Sequence, residues 1–120
     1  MKELYAIKST QIYPEQIAAF LEFTKTPDLQ VFHMWTNPDI PLAVLHPWFK
    51  FWATHNKTDF NNEETLSFIR QRVFEPGYDG IDAVLEKVGI PVYDAWEIFK
   101  AYKGRHVKDD LEAELIGRSE

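Results

Sequence analysis

The sequence contains no cysteine, and this absence excludes several classes of site. Without thiols the chain forms no disulfide, thiolate zinc site, iron–sulfur cluster or cysteine nucleophile. No apolar run approaches the roughly 20 residues that a membrane-spanning helix requires. An acidic residue, Glu3, comes early, and no apolar segment of the secretory type follows it. We therefore expect a cytoplasmic protein without a membrane partner.

Catalytic motifs are also missing. The chain has no phosphate-binding loop, no dinucleotide fingerprint, no G-x-S-x-G elbow and no H-E-x-x-H. The nearest local histidine–carboxylate pairs are His55 with Asp59, and His106 with Asp109 and Asp110, and none has the spacing of a metal motif. We predict no catalytic residue, cofactor or metal. An uncharacterised hydrolase or metal enzyme stays a third hypothesis, and it requires two of the four histidines (His33, His46, His55, His106) to converge with a carboxylate.

The 120 residues are the usual size of one domain, so we predict a single domain over residues 1–120. Hydrophobic residues make up 45% of the chain and aromatic residues 15%, enough for a core without disulfides or metal. The formal net charge of −6 favours solubility and disfavours non-specific attraction to nucleic acid.

The first third of the chain reads as strand, helix, strand. Glu3 to Ser9 and Leu29 to Trp35 suit strands, although the alternation is imperfect. Between them Pro14 suits the first position of a helix that ends near Lys25. Its apolar residues at helical spacing are Ile17, Phe20 and Leu21, followed by Thr24. The two strands form a parallel pair with a crossover, or they pair otherwise; the sequence leaves both open.

Helices are predicted for most of the remainder. Pro41 opens a helix towards His55, which Pro47 either kinks or restarts with His46 near the cap. Asn61 and Glu64 have the spacing of a capping box for a helix to Phe74. Further helices are predicted from Asp79 to Val88, stopped by Gly89, from Pro91 to Lys103, stopped by Gly104, and from Lys108 to Ile116.

These elements predict a mostly α domain of the α+β class: five to six short helices with a small two-stranded element from the N-terminal third. The polar tail, residues 105–120, is expected to be a short or frayed helix. The predicted core comprises Ile17, Phe20, Leu21, Phe32, Leu45, Phe49, Trp52, Leu66, Ile69, Val73, Val84, Leu85, Val88, Trp96 and Phe99.

The stretch from His46 to Trp52 is dense in aromatic residues. On a helix its apolar residues spread over about half of the circumference, which suits the central helix of a core. Trp residues also dominate interface hot spots, so an exposed aromatic surface is the alternative. We expect at most one edge of this stretch, Phe51 or Trp48, to be free to meet a partner.

The segment 79–103 resembles a helix-turn-helix. Val84, Val88, Gly89, Ile90 and Ile98 fall where that motif has its apolar residues and its turn glycine. The sequence departs from the motif at Leu85 and Ala95, and its second helix would present Asp94 and Glu97 to phosphates. A basic cluster follows this helix: Lys100, Lys103, Arg105, His106 and Lys108. A packed αα-hairpin is the favoured interpretation, and DNA binding is the second hypothesis.

The leading functional hypothesis is a non-enzymatic protein–protein interaction module: a small adaptor, inhibitor or assembly factor of the kind found among phage and accessory bacterial genes. The partner is expected to be another protein, with nucleic acid disfavoured, and the sequence does not give the oligomeric state. The candidate partner-binding residues are Trp48, Phe51, Tyr93, Asp94, Glu97, Lys100, Lys103 and Arg105.

Overall fold

The computed structural model describes residues 1–10 and 15–120. The strands are β1 (Lys2–Ser9), β2 (Gln16–Lys25), β3 (Gln30–Thr36), β4 (Asp59–Phe60) and β5 (Leu111–Ser119). The helices are α1 (Pro47–Ala53), α2 (Asn62–Gln71), α3 (Ile81–Val88) and α4 (Ala95–Ala101), with a short 3-10 helix, Leu42–Val44, before α1. No helix of the described residues is long and apolar enough to cross a membrane.

The five strands form one antiparallel sheet in the order β4-β3-β2-β1-β5. The prediction of a mostly α domain is therefore wrong: the sheet is the organising layer. The prediction left the pairing of β1 and β3 open, and β2 lies between them and pairs with both.

The helix predicted up to Lys25 is β2 instead. Leu21 and Phe23 alternate with Phe20 and Glu22, and the first two are buried while the last two are half-buried. Since apolar residues occur on both faces of this segment, its pattern fits a helix and a strand equally. The segment is a strand because it pairs with β1 on one edge and with β3 on the other. The predicted helix start at Pro14 lies outside the described residues.

In the polar tail, residues 105–120, the predicted helix from Lys108 to Ile116 does not form, and Leu111–Ser119 is the strand β5. In β5 the buried Leu111 and Ala113 alternate with Glu112 and Glu114, which gives a period of two. Every position from Leu111 to Glu114 faces a residue of β1. The high helix propensity of this acidic segment is overridden by its pairing with β1.

Two helix starts agree with local signals, and the one at Pro47 is one of the two alternatives that the sequence left open. Pro47 begins a fresh helix rather than a kink, and the His46 ring accepts a hydrogen bond from the Trp48 N–H. The capping box is confirmed: the Asn61 side chain accepts from the Glu64 N–H at 2.9 Å, and the Glu64 carboxylate accepts from the Asn61 N–H at 3.0 Å. The helix predicted from Pro41 is instead the short 3-10 helix, and α2 ends at Gln71, before Phe74.

The predicted bounds of the next two helices need correction. Gly80, not Asp79, precedes α3, while Gly89 ends it in the left-handed conformation (φ 86°), as predicted. Helix α4 begins at Ala95 rather than at Pro91, because the Asp94 side chain caps it by accepting from the N–H groups of Trp96 and Glu97. It ends at Ala101, ahead of Lys103.

The helices cover one face of the sheet. Trp96 of α4 contacts Tyr5, Phe23 and Phe32 from three neighbouring strands, with ring centroids 5.1–5.2 Å apart. Of the predicted core, Leu21, Phe32, Leu45, Phe49, Ile69, Val84, Trp96 and Phe99 are buried, and Ile17, Phe20, Trp52, Leu66, Val73, Leu85 and Val88 are half-buried. The outer side of the helix layer faces solvent, and it includes the ends of α2, α3 and α4.

Candidate partner-binding groove

An open groove of about 620 Å³ lies where α2 ends beside α3, α4 and the turn after α4. We call that turn, residues 103–110, the basic turn. The volume is in the ordinary range for a binding site, about 300–1,000 Å³. The groove is lined by Arg72, Val73, Phe74, Lys87, Ile98, Ala101, Tyr102, Lys103, Arg105, His106 and Val107.

The floor of the groove is apolar and held in place. Phe74 lies against Tyr102 with ring centroids 5.8 Å apart, and it stacks on Tyr78 at 4.8 Å. The Tyr93 hydroxyl donates a hydrogen bond of 2.9 Å to the Phe74 carbonyl. Ile98 is fully buried beneath the groove. The concave shape therefore results from packing that exists without a partner.

The wall is the basic turn, which Arg72 fastens to the end of α2. The Arg72 Nε donates to the Gly104 carbonyl at 2.7 Å, and its two terminal nitrogens donate to the Asp109 carboxylate at 2.8 and 2.6 Å. Burial opposes ionisation of Asp109, but these hydrogen bonds and the Arg72 charge outweigh it and lower the pKa of Asp109. The bidentate pair is a strong, directional contact.

The backbone conformation of the turn brings it close to α4. Lys103 and Gly104 are consecutive left-handed residues, with φ of 56° and 65°. A Cβ atom at Gly104 would lie 2.6 Å from Cζ of the buried Phe99. The chain can therefore pass over Phe99 only with glycine at this position. This close passage places Lys103 and Arg105 on the rim.

The charge of the groove is opposite to that of the chain. Four of its lining residues are arginine or lysine and none is a carboxylate, whereas the whole sequence carries a net charge of −6. Arg72 is paired with Asp109 and Arg105 with Glu112, the latter at 2.9 Å. No salt bridge to Lys87 or Lys103 occurs within residues 1–10 and 15–120. Lys87 lies over the Tyr102 ring, 5.6 Å from its centroid.

The structure brings together only some of the predicted contact residues. Lys103 and Arg105 lie on the rim, and Tyr93 supports the floor through Phe74. Asp94 is engaged as the cap of α4. A second depression of about 370 Å³ shares Lys103 and includes Lys100.

Two of the predicted contact residues on α4 interact with each other. The Lys100 Nζ lies 3.1 Å from a Glu97 carboxylate oxygen. The same nitrogen lies 5.4 Å from the centroid of the Trp96 ring. Neither side chain lines the groove.

Trp48 and Phe51 lie on α1, which contributes no residue to the groove. Trp48 packs against Phe60 and Phe68, with centroids 5.7 and 4.9 Å away, and is half-buried at the margin of the core. Phe51 is 57% exposed and lies against Trp52 and His55. Of the two edges that the sequence left free, Phe51 is therefore the exposed one.

Two of the four histidines, His33 and His46, contact carboxylates that are distant in sequence. His33 Nε2 lies 2.7 Å from Asp59 on the surface, and His46 Nε2 lies 3.1 Å from Asp110 in the interior. The sequence pairs, His55 with Asp59 and His106 with Asp109 and Asp110, were not the ones that form. Spacing could not reveal the buried pair, since its members are 64 positions apart.

The buried pair continues to a serine. The Ser9 hydroxyl donates to Asp110 at 2.6 Å, on the carboxylate oxygen that the His46 ring does not contact. Because the His46 Nδ1 accepts from the Trp48 N–H at 3.2 Å, we assign the ring proton to Nε2, facing Asp110. Burial lowers the pKa of His46, and the charges of Asp110 and Asp109 only partly offset it.

This cluster has the wrong order for a nucleophilic triad. There the histidine lies between the serine and the carboxylate and removes the serine proton. Here Asp110 lies between Ser9 and His46, so the three groups fasten β1, α1 and the start of β5 to one another. In the described part of the chain no three histidine or carboxylate side chains are grouped so that they could hold a metal ion.

Comparison with protein-family models, with curated proteins and with solved structures found no match for this chain.

Proposed function

We propose that the chain is a non-enzymatic protein-binding module and that the groove beside the basic turn is its contact surface. One observation carries the proposal. The groove combines an apolar floor with two exposed lysines, Lys87 and Lys103, which form no salt bridge among the described residues, on the surface of an acidic chain. An isolated exposed apolar side chain is ordinary on a protein surface, but a concave apolar site with convergent charge is typical of binding sites.

The tip of the basic turn supports the same interpretation. Val107 is 97% exposed although the turn that carries it is anchored on both sides by Arg72 and by the Ala113 N–H, which donates to the Lys103 carbonyl at 2.7 Å. A rigid backbone that presents an apolar side chain to solvent loses little conformational entropy on binding. The turn is thus suited to contact a partner.

DNA binding through the α3–α4 hairpin receives less support. Helix α4 has seven residues and buries Trp96, Ile98 and Phe99, so it has little free surface to place in a DNA groove. Lys87, Lys103 and Lys108, which form no salt bridge among the described residues, could neutralise about three phosphates, against about 6–10 for a strong DNA binder. The hydrolase hypothesis also receives less support. In its best candidate cluster Asp110, rather than His46, accepts the hydrogen bond of the Ser9 hydroxyl.

The proposal is tested by blocking the groove. Ala101 is exposed and lines it, so Ala101→Trp is expected to fill the groove without disturbing the core. Ala83 is exposed on α3 and does not line it, which makes Ala83→Trp a matched control. A photo-crosslinking amino acid is placed at position 107, and crosslinked proteins are compared between the two variants in lysate of the native cells.

We expect a discrete crosslinked protein with the unblocked chain and with Ala83→Trp, and its loss with Ala101→Trp. The same crosslinker at Val92, which is 68% exposed and not among the lining residues, controls for non-specific capture. Equal crosslinking by the two tryptophan variants would contradict the proposal, as would the absence of any crosslinked protein.

A further inference from the structure

We infer that the occupant of the groove is an acidic segment of a partner protein that inserts an aromatic or large aliphatic side chain between Phe74, Tyr102 and Val107. This inference rests on the proposed function and adds the chemistry of the partner. It is based on complementarity: an apolar side chain of the partner matches the floor of the groove, and carboxylates of the partner match the lysines on its rim.

The apolar part of the groove requires an apolar occupant. Phe74 is 37% exposed, and the Tyr102 ring beside it is covered on one side by Lys87. Val107 lines the same cavity as Phe74 and Tyr102, so the groove offers three apolar side chains to one occupant. A polar segment would lose its own hydration on this surface without gaining hydrophobic free energy. One buried aromatic or leucine side chain, in contrast, strengthens binding about tenfold or more.

The rim requires negative charge on the occupant. Lys87 and Lys103 are exposed and lie on opposite components of the groove, α3 and the basic turn. The two arginines of the groove are already engaged by carboxylates of the chain itself. The two lysines therefore carry the charge available to a partner. Each exposed ion pair changes affinity only by about two- to fivefold, so the lysines select the partner while the anchor supplies most of the affinity.

A protein segment fits better than a small acid or nucleic acid. The groove is open to solvent and one of its lining residues, Val107, is almost fully exposed, so it would cover an anchor side chain but not enclose a whole small molecule. Nucleic acid would have to bring its many phosphates to a chain of net charge −6 for the few lysines at the groove.

The probe is a fluorescein-labelled peptide, Glu-Asp-Glu-Phe-Leu-Asp-Glu, whose binding to the full chain is followed by fluorescence anisotropy. The companion peptides have Ser-Ser in place of Phe-Leu, or lysine in place of every acidic residue. We expect the serine peptide to bind at least about tenfold more weakly than the parent peptide, and the lysine peptide, which keeps the anchor, also to bind the unmodified chain more weakly than the parent peptide.

Charge reversal on the protein sharpens the test. The double variant Lys87→Glu with Lys103→Glu is expected to weaken the acidic peptide by about tenfold and to bind the lysine peptide better than the unmodified chain does. Lys25→Glu with Lys50→Glu is the matched control, because it changes the net charge equally at residues outside the groove. Circular dichroism and thermal unfolding confirm that each variant is folded.

The outcomes separate the two proposals. If the charge preference does not invert in the double variant, or if 3-phenylpropionate or a 20-base-pair DNA duplex binds as tightly as the acidic peptide, the inference is overturned. In that case a crosslinked partner that Ala101→Trp removes would still support the proposed function. If the acidic peptide binds with the expected preferences but Ala101→Trp leaves the native crosslinks unchanged, the peptide chemistry stands and the proposed function fails.

Discussion

Two glycines, Gly89 after α3 and Gly104 in the basic turn, have backbone conformations that L side chains rarely adopt. Gly89 and Gly104 both have positive φ, 86° and 65°, where L side chains are strained. They differ in their surroundings: a Cβ atom at Gly89 would meet nothing within 4 Å, and one at Gly104 would meet the Phe99 ring at 2.6 Å. An alanine at Gly89 would therefore meet conformational strain alone, whereas an alanine at Gly104 would also overlap the Phe99 ring.

We predict that Gly89→Ala destabilises the protein by about 1–2 kcal/mol, the energy of a left-handed L residue. Gly104→Ala should cost about 1–3 kcal/mol more, because it also forces the buried Phe99 ring to move. Urea unfolding at neutral pH measures both variants. Equal free energies of unfolding for the two variants would show that the turn does not pack on Phe99.

At the scale of elements, Arg72 joins the end of α2 to the basic turn. Its side chain is buried and its donors reach Gly104 and Asp109. Removing it would leave the Gly104 carbonyl and the Asp109 carboxylate without these donors, although Asp109 keeps some contact with water. The Arg72 guanidinium is therefore a main support of the groove wall, beside the backbone hydrogen bond from Ala113 to Lys103.

We predict that Arg72→Met destabilises the protein by about 2–4 kcal/mol. Arg72→Lys should recover only part of this energy, since an ammonium cannot make the forked contact with Asp109. Amide hydrogen exchange of residues 103–109 should accelerate in both variants. Arg70→Met, at an exposed position of the same helix, should stay within about 0.5 kcal/mol of the unmodified chain, and a similar loss there would refute the special role of Arg72.

The elements themselves were partly predictable. Pro47, the Asn61–Glu64 pair and Gly89 were recognised correctly because each acts through contacts within a few residues of the chain. The strands β2 and β5 were not, because their apolar residues suit both a helix and a strand. Their conformation is decided by hydrogen bonds to β1, which lies at the opposite end of the chain from β5.

At the scale of the whole molecule, buried ionisable groups make the stability of the fold depend on pH. His46 has a pKa below its ordinary value of 6.5, mainly because of burial. Glu3 is buried, which disfavours its charge, but hydrogen bonds from Arg118 and Tyr5 outweigh burial and lower its pKa. Each of these groups therefore binds its proton more weakly in the folded chain than in the unfolded chain.

We predict that the free energy of unfolding decreases as the pH falls below 6.5. In this range the unfolded chain takes up a proton at His46 while the folded chain resists it, so stability rises with pH. A further decrease is expected below pH 4.5, where Glu3 is protonated in the unfolded chain first, and below 3.8 for Asp109.

His46→Asn is the matched variant for the first step. Asparagine is a good N-cap and does not titrate, so the dependence of stability on pH just below 6.5 should become shallower. The decreases assigned to Glu3 and Asp109 should remain. Urea unfolding at half-unit pH intervals measures the free energy of unfolding of both chains. If its dependence on pH just below 6.5 is the same in His46→Asn as in the unmodified chain, His46 is not the source of that dependence.

The sequence by itself determined the absence of thiol chemistry, the acidic charge, several helix ends and much of the core, since these depend on composition or on neighbours within one helical turn. It also indicated Lys103 and Arg105 as candidate contact residues, because cations were concentrated after one helix, and both line the groove. The tertiary structure alone decided the five-stranded sheet, the pairing of His46 with Asp110 and the apolar floor beneath those cations. Each of these joins residues from distant parts of the chain, and no spacing in the sequence records which of them will meet.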